Sequence, residues 1–355
     1  TEQRDGNGNR IDTYSAADVS NLARVFTGYD YDTSKNQPTN LSGSTVTGLQ
    51  QALLPMAFNA ARHSTLAATF LGTTVAAGTS GPAALKAALD TLFNHPNVGP
   101  FIGRQLIQRL VTSNPSPAYV GRVAAAFADN GSGTRGDLRA VIATVLLDPE
   151  ARGAAGLASP QYGRLREPMV RFVQWGRTFG LRSARGTWKI DNLSDPATRL
   201  GQSPLRSGSV FNFFRPGYVP PSTPLATTGQ VAPEFQIVTE TSVSGYLNFM
   251  QNVIRFGYYV NAPDLPQGGS SAANGFDITC SYANLLPLVA DAAALVRKVA
   301  LLLSAGQVSA ATQARIVAAL NATPVTATSN TATQLNRVAA AVLLVMASPE
   351  YLVQK

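Results

Sequence analysis

The sequence predicts an all-α chain: an irregular multi-helix domain with one long segment rich in Pro, Gly and aromatic residues. Three observations carry that prediction. Apolar residues recur at helical spacing in successive segments. Many of those segments open on a capping residue or a proline. Runs of Val, Ile and Thr long enough to build a sheet are missing.

The elements follow in order. Ser15-Ala16-Ala17-Asp18 has the layout of a capping box with Asp in the Glu position, and Val19, Leu22, Ala23 and Phe26 continue at helical spacing. Pro82 and Pro96 stand where a first-turn proline is tolerated, before helices over Ala83–Phe93 and Asn97–Val111. In the second of these, Phe101, Ile102, Leu106, Leu110 and Val111 form an apolar stripe, with Arg104 and Arg109 expected to face outward. Further helices are expected at Ala118–Ala128, Leu138–Leu147, Glu167–Phe179, Gln236–Phe256, Asn284–Leu303, Ala310–Leu320 and Gln334–Met346. Two of them end in a Pro-Glu pair, Pro149-Glu150 and Pro349-Glu350, which reads as a stop followed by a new first turn. Gly186 to Pro233 breaks the pattern, and its Phe211, Phe213, Phe214 and Tyr218 argue for packing rather than a free linker. Residues 262–273 read as an exposed loop.

Composition bounds the function. Of 355 residues, 45% are hydrophobic and 14% charged, against about 25% charged in an average soluble domain. Disorder and coiled coil are thereby disfavoured, since both draw on charged residues. The longest apolar stretch, Val338 to Ala347, is half the ~20 residues that a membrane helix needs, so no transmembrane segment is expected. One cysteine, Cys280, excludes an intrachain disulfide, and two histidines, His63 and His95, leave little for a nitrogen-rich metal site. The sequence identifies no cofactor.

The net charge of +8 comes from five lysines and twenty-three arginines against twenty acids. Nucleic-acid binders usually mix both cations and carry a recognisable module. Arginine-dominated charge instead suits fixed pairing with carboxylates, so base-specific nucleic-acid reading is not expected.

Several strings resemble the bacterial family called domain of unknown function 1800. They begin with Asp5-Gly6-Asn7-Gly8-Asn9, Thr13-Tyr14-Ser15 and Ala23-Arg24-Val25-Phe26-Thr27-Gly28. His63 with Phe70-Leu71-Gly72 follows, then His95-Pro96 with Phe101-Ile102 and Arg109-Leu110-Val111. Arg166-Glu167-Pro168, Leu200-Gly201-Gln202-Ser203-Pro204 and Ser209-Val210-Phe211-Asn212-Phe213-Phe214 come next. Pro233-Glu234-Phe235-Gln236 and Ser348-Pro349-Glu350-Tyr351 complete the series. The resemblance implies an exported protein, periplasmic or extracellular, with no established reaction. Such proteins are often encoded beside a sulfatase-like secreted partner. Because the family's upstream Asn-Glu-Asn-Tyr-Ala-Arg-Glu motif is not in this sequence, the chain is expected to be the C-terminal portion, residues 1–355, of one larger helical domain. The N-terminal portion of the same precursor is then an expected partner.

Each candidate site has a structural reading beside the functional one. His63 could act as general base or metal ligand, or simply lock a loop; Ser64 stands where the family often has Asp, which weakens a His-carboxylate pair. His95 before Pro96 reads as a cap. Asp5, Asn7 and Asn9 match the opening of a calcium loop, but Arg10 and Ala16 break it, leaving a turn. Gly131-Ser132-Gly133-Thr134-Arg135-Gly136 is a literal GxGxxG lying between two helices, not after a strand, so nucleotide binding is discounted. Thr1 as an N-terminal nucleophile is discounted because such hydrolases are built on sheets. Glu167 and Arg171 are expected to pair at i,i+4, and Glu234 and Glu240 to favour a helix start.

The leading expectation is a binding or scaffold component that docks its N-terminal portion, a secreted partner or a surface polymer. Phe211, Phe213, Phe214 and Tyr218 would be its contact residues, with Arg166 and Arg171. The competing expectation is an extracellular hydrolase using His63 with Glu167, Glu234 or Glu240. A third is an oligomer or filament subunit.

Overall fold

The structure, a computed structural model, describes residues 5–9, 11–41, 44–46, 50–261 and 274–355. The loop expected at 262–273, and Thr1, lie outside the described residues. The chain is mostly helical and divides into two compact units, one of Thr1–Arg104 with Ser116–Thr144, the other of Gln105–Pro115 with Val145–Lys355.

The first unit contains α1 (Ala16–Val25), then short strands β1 (Tyr29–Asp30), β2 (Thr39–Leu41), β3 (Ser44–Val46), β4 (Ala57–Phe58), β5 (Ala68–Phe70) and β6 (Thr73–Val75). Helices α2 (Gly81–Asn94), α3 (Val98–Leu110), α4 (Pro117–Ala128) and α5 (Leu138–Leu147) follow, and the division between units falls within α3 and α5. The capping box forms: Ser15 Oγ accepts from the Asp18 amide at 3.2 Å and Asp18 Oδ2 from the Ser15 amide at 2.7 Å. Asp18 Oδ1 also accepts from the Leu71 amide at 2.9 Å, which ties the β5–β6 turn to α1. Beneath that tie Val25, Phe70, Val75, Ala84 and Ala88 form a small core.

The strands are a difference from the sequence expectation. None exceeds five residues among those described, and they pair only in sheets of two or three strands. Pairings this short need no Val, Ile or Thr run, so periodicity has nothing to detect.

The second unit contains α6 (Pro149–Arg152), α7 (Ala154–Ala158), β7 (Arg164–Leu165), α8 (Pro168–Thr178), β8 (Arg182–Ser183) and α9 (Pro224–Thr227). Next come α10 (Glu240–Phe256), β9 (Tyr258–Val260), β10 (Gly275–Thr279), α11 (Ala292–Ser304), α12 (Ala310–Asn321), α13 (Thr331–Met346), α14 (Pro349–Leu352) and β11 (Val353–Gln354). α8, α10, α11 and α13 supply the main core, in which Trp175, Met250, Val296, Val299, Val338, Val342 and Val345 are buried. The apolar run seen in the sequence is the sealed part of α13. No helix among the described residues is long and apolar enough to cross a membrane.

Two expected helices are each broken. Thr239 caps α10, its Oγ1 accepting from the Ser242 amide, and detaches a 3-10 turn over Pro233–Ile237. Asp291 caps α11 through the Ala294 amide and detaches another over Leu286–Leu288. A side chain that offers the backbone a cap ends one helix and starts the next.

The stretch 186–233 is mostly irregular, and it packs: Leu193, Leu200, Phe214 and Val231 are buried. Its backbone lies so close to α10 that a Cβ on Gly245 would sit 2.2 Å from the Pro196 carbonyl oxygen. Gly245→Ala is therefore expected to cost about 1–3 kcal/mol by overpacking, read as a lower urea midpoint with an unchanged slope.

Arginine is used inside the fold. Arg135 donates to the Phe93 and His95 carbonyls at the end of α2, Arg166 to the Leu303 carbonyl at the end of α11, and Arg337 to the Leu320 and Thr323 carbonyls at the end of α12. A cation at a helix C-terminus meets orphan carbonyls and the negative end of the macrodipole. Part of the positive charge thus serves the fold itself.

Candidate functional site

The richest polar cluster lies in the second unit. It begins with β7, whose pairing with β11 sets Arg164 opposite Gln354, so that Arg164 Nη2 donates to Gln354 Oε1 at 3.3 Å. Three residues on, Glu167 is the N-cap residue of α8, but its side chain does not cap the helix. Its Oε1 lies 3.8 Å from Arg164 Nη1 and 3.6 Å from Arg109 Nη1, while Oε2 accepts from Gln202 Nε2 at 2.5 Å. Gln202 is fixed in turn, since its Oε1 accepts from the Met169 amide.

Glu234 enters from the 3-10 turn over Pro233–Ile237 and places Oε1 3.5 Å from Arg164 Nη1. Two carboxylates therefore share one guanidinium nitrogen. Glu234 is only 1% exposed, and burial pushes its carboxyl above the ordinary 4.5; the Arg164 charge opposes that rise without cancelling it, and neighbouring Glu167 adds to it. Phe214 covers the cluster, its ring centroid 4.2 Å from the Arg109 guanidinium carbon.

Beside the cluster runs a groove of about 320 Å³, lined among others by Asn114, Tyr162, Arg164, Leu225, Val231 and Phe235. Asn114 pairs with the Val231 backbone in both directions, at 2.9 Å each, and so holds one wall. Tyr162 donates to the Glu150 carbonyl at 2.8 Å, and burial lifts its phenol to about 12. Arg164 Nε is buried with no protein partner on a side chain that lines this groove.

The structure brings together Glu167 and Glu234 from the expected set, with Arg164 and Arg109 between them. Glu240 is exposed in the first turn of α10, where a carboxylate suits the helix dipole. His63 belongs to the first unit. Its Nδ1 is 3.0 Å from the Thr27 carbonyl, which only accepts, so Nδ1 carries a proton toward it; Phe58 meets the ring edge-on. Among the described residues no group of three metal-ligating side chains is found.

Some expectations are corrected. Arg109 turns inward to Phe214 and Glu167, because α3 buries the Ile107–Gln108 side instead of the Phe101–Leu110 stripe. Glu167 does not pair with Arg171: as the cap residue it lies outside the helical turn that would align i with i+4. Arg171 instead donates to the Arg166 carbonyl and stacks on Tyr246. Arg166 and Arg171 are both buried, as is Phe214, so none of the three presents a surface to a partner; Phe211 is exposed, and Phe213 and Tyr218 are half-buried. The Gly131–Gly136 loop holds its own amides on Asp129 and Asn130, Asp5 forms a turn with Asn7 and Asn9, and His95 Nδ1 accepts from the Asn97 amide.

The cluster draws one residue from each of five strings singled out in the sequence. Arg109, Glu167, Gln202, Phe214 and Glu234 come from separate motifs that share no sequence neighbourhood. Gln108 adjoins one such string and nothing local marks it, whereas Arg164 stands two residues before Arg166-Glu167-Pro168, near enough in sequence to join a cluster around Glu167. A family model for a protein of unknown function, DUF1800, matches residues 5–353. No curated protein and no solved structure matches the chain. With nearly its whole length covered by that one family model, the chain belongs to the DUF1800 family of proteins of unknown function.

Proposed function

We propose that the chain is an exported binding component, working in the periplasm or outside the cell, that holds an extended segment of a partner protein in the groove beside Arg164. One observation carries this reading: five dispersed family motifs converge on the cluster that positions Arg164 at the groove. The groove mixes apolar walls from Leu225, Val231 and Phe235 with polar side chains from Asn114, Gln161, Thr228 and Gln230. Exposed Leu205, Val210 and Phe211 extend the apolar surface of the same unit.

A photo-crosslinking residue at Thr228, in chain produced by its own host, is expected to trap one defined partner. The adduct should vanish when Leu225→Arg fills the groove, and should not form from the same probe at Ser132. Equal trapping at Thr228 and Ser132, or trapping that ignores Leu225→Arg, would reject the reading.

A second reading, a hydrolase of extracellular polymers, is favoured by one observation, the raised Glu234 carboxyl close to Glu167. A carboxyl that burial keeps protonated can serve as the general acid of such enzymes. Turnover of fluorogenic esters or glycosides between about pH 4 and pH 9, lost in Glu234→Gln, would support it. No turnover by the unaltered chain across that range removes it.

A further inference from the structure

We propose that Gln108, Arg109 and Glu234 bind a single water molecule as an integral part of the fold, independently of either functional reading. Three atoms motivate the site. Gln108 Oε1, Arg109 Nη1 and Glu234 Oε2 are each buried without a protein hydrogen-bond partner. All three residues line the same cavity of about 10 Å³, close to the least space that one water requires.

The chemistry selects the ligand. Gln108 Nε2 donates to the Ser113 carbonyl at 3.0 Å and to the Pro216 carbonyl at 3.3 Å, so the amide cannot flip and Oε1 is left as an acceptor. Glu234 Oε1 faces Arg164 at 3.5 Å, which leaves Oε2 as the second acceptor. Arg109 Nη1 is a donor only. A water gives one hydrogen to Gln108, one to Glu234, and receives one from Arg109, so that every group is satisfied. A metal cation would bring a third positive charge beside Arg109 and Arg164 and could take nothing from the Arg109 N–H. An anion would meet two acceptors. If Glu234 takes up a proton, the water accepts from it and keeps its bond to Gln108. It therefore serves both states of the carboxyl.

The site also explains why the cluster tolerates two carboxylates, two guanidiniums and a buried amide together. With the water in place, the chain of bonds runs from Gln108 through Glu234 to Arg164, Glu167 and Arg109. Left incomplete, three buried polar atoms would carry their full desolvation cost.

A crystal structure of the unaltered chain, at a resolution that shows buried waters, is the first test. The expected result is one peak within hydrogen-bond distance of all three atoms, retained in Glu234→Gln and absent in Glu234→Met. Deuterium relaxation dispersion in solution should count one fewer long-lived water in Glu234→Met than in Glu234→Gln. A cavity empty in the unaltered chain overturns the proposal. So does a peak at metal-ligand distance, or an unchanged water count in Glu234→Met. The map of the unaltered chain decides the matter even where the methionine variant does not fold.

Discussion

Arg164→Met is expected to lower stability by about 3–5 kcal/mol, because it leaves Glu234 buried without its cation. Arg164 is 6% exposed and Glu234 1%, so bulk solvent does not reach the carboxyl to replace the lost cation. Glu234→Met alone should also cost stability, by leaving the Arg164 charge with only Glu167. The double variant Arg164→Met with Glu234→Met is expected to recover much of the loss, since an apolar pair of similar volume removes both desolvation costs. Urea unfolding of the four chains gives the coupling directly. Additive single costs would mean that the two residues do not act as a pair.

The same carboxyl has a pH signature whose sign follows from burial. Glu234 holds its proton more tightly in the folded state than in the unfolded one. Its contribution is therefore fully present below the ordinary 4.5 and is lost as pH rises through the folded-state value. The stability of the unaltered chain minus that of Glu234→Gln should fall across this window. A difference that rises with pH would show that Arg164 outweighs burial.

Trp175→Ala should produce a comparably large loss, about 3–5 kcal/mol, through the cavity left in the second unit's core. Trp175 is fully buried on α8, its ring centroid 5.6 Å from that of Phe172, and its Nε1 donates to Tyr282 at 2.9 Å. The Tyr282 hydroxyl donates in turn to the Ile254 carbonyl, so α8 and α10 are joined through one polar relay inside an apolar core. Trp175→Phe keeps most of the packing and leaves the Tyr282–Ile254 bond intact, and should cost clearly less. Equal losses for alanine and phenylalanine would assign the effect to the hydrogen bond rather than to volume.

Much of the local structure was legible. The Ser15–Asp18 box, the Asp5 turn and the loop at 129–136 all formed as read. So did the two restarts at Pro149 and Pro349, each opening a four-residue helix after a longer one. The cluster was legible only in fragments. Glu167 and Glu234 stand out by type and motif, but i,i+4 spacing points Glu167 to Arg171, and the apolar stripe of its helix points Arg109 to the surface. Their companion Arg164 is 70 residues from Glu234, and no spacing rule reaches across that distance.

The helical class and most helix starts are readable from the residues alone, as is the lack, among the described residues, of a helix long and apolar enough to cross a membrane. Those features depend on residues within a turn or two of one another, where capping, periodicity and proline geometry act. Tertiary structure decided which charges were buried, which arginine met which carboxylate, and where a groove opened beside them. Burial and pairing are properties of segments brought together from far apart in the chain. A carboxyl becomes a raised acid, and an arginine its fixed partner, only when the fold removes water from both.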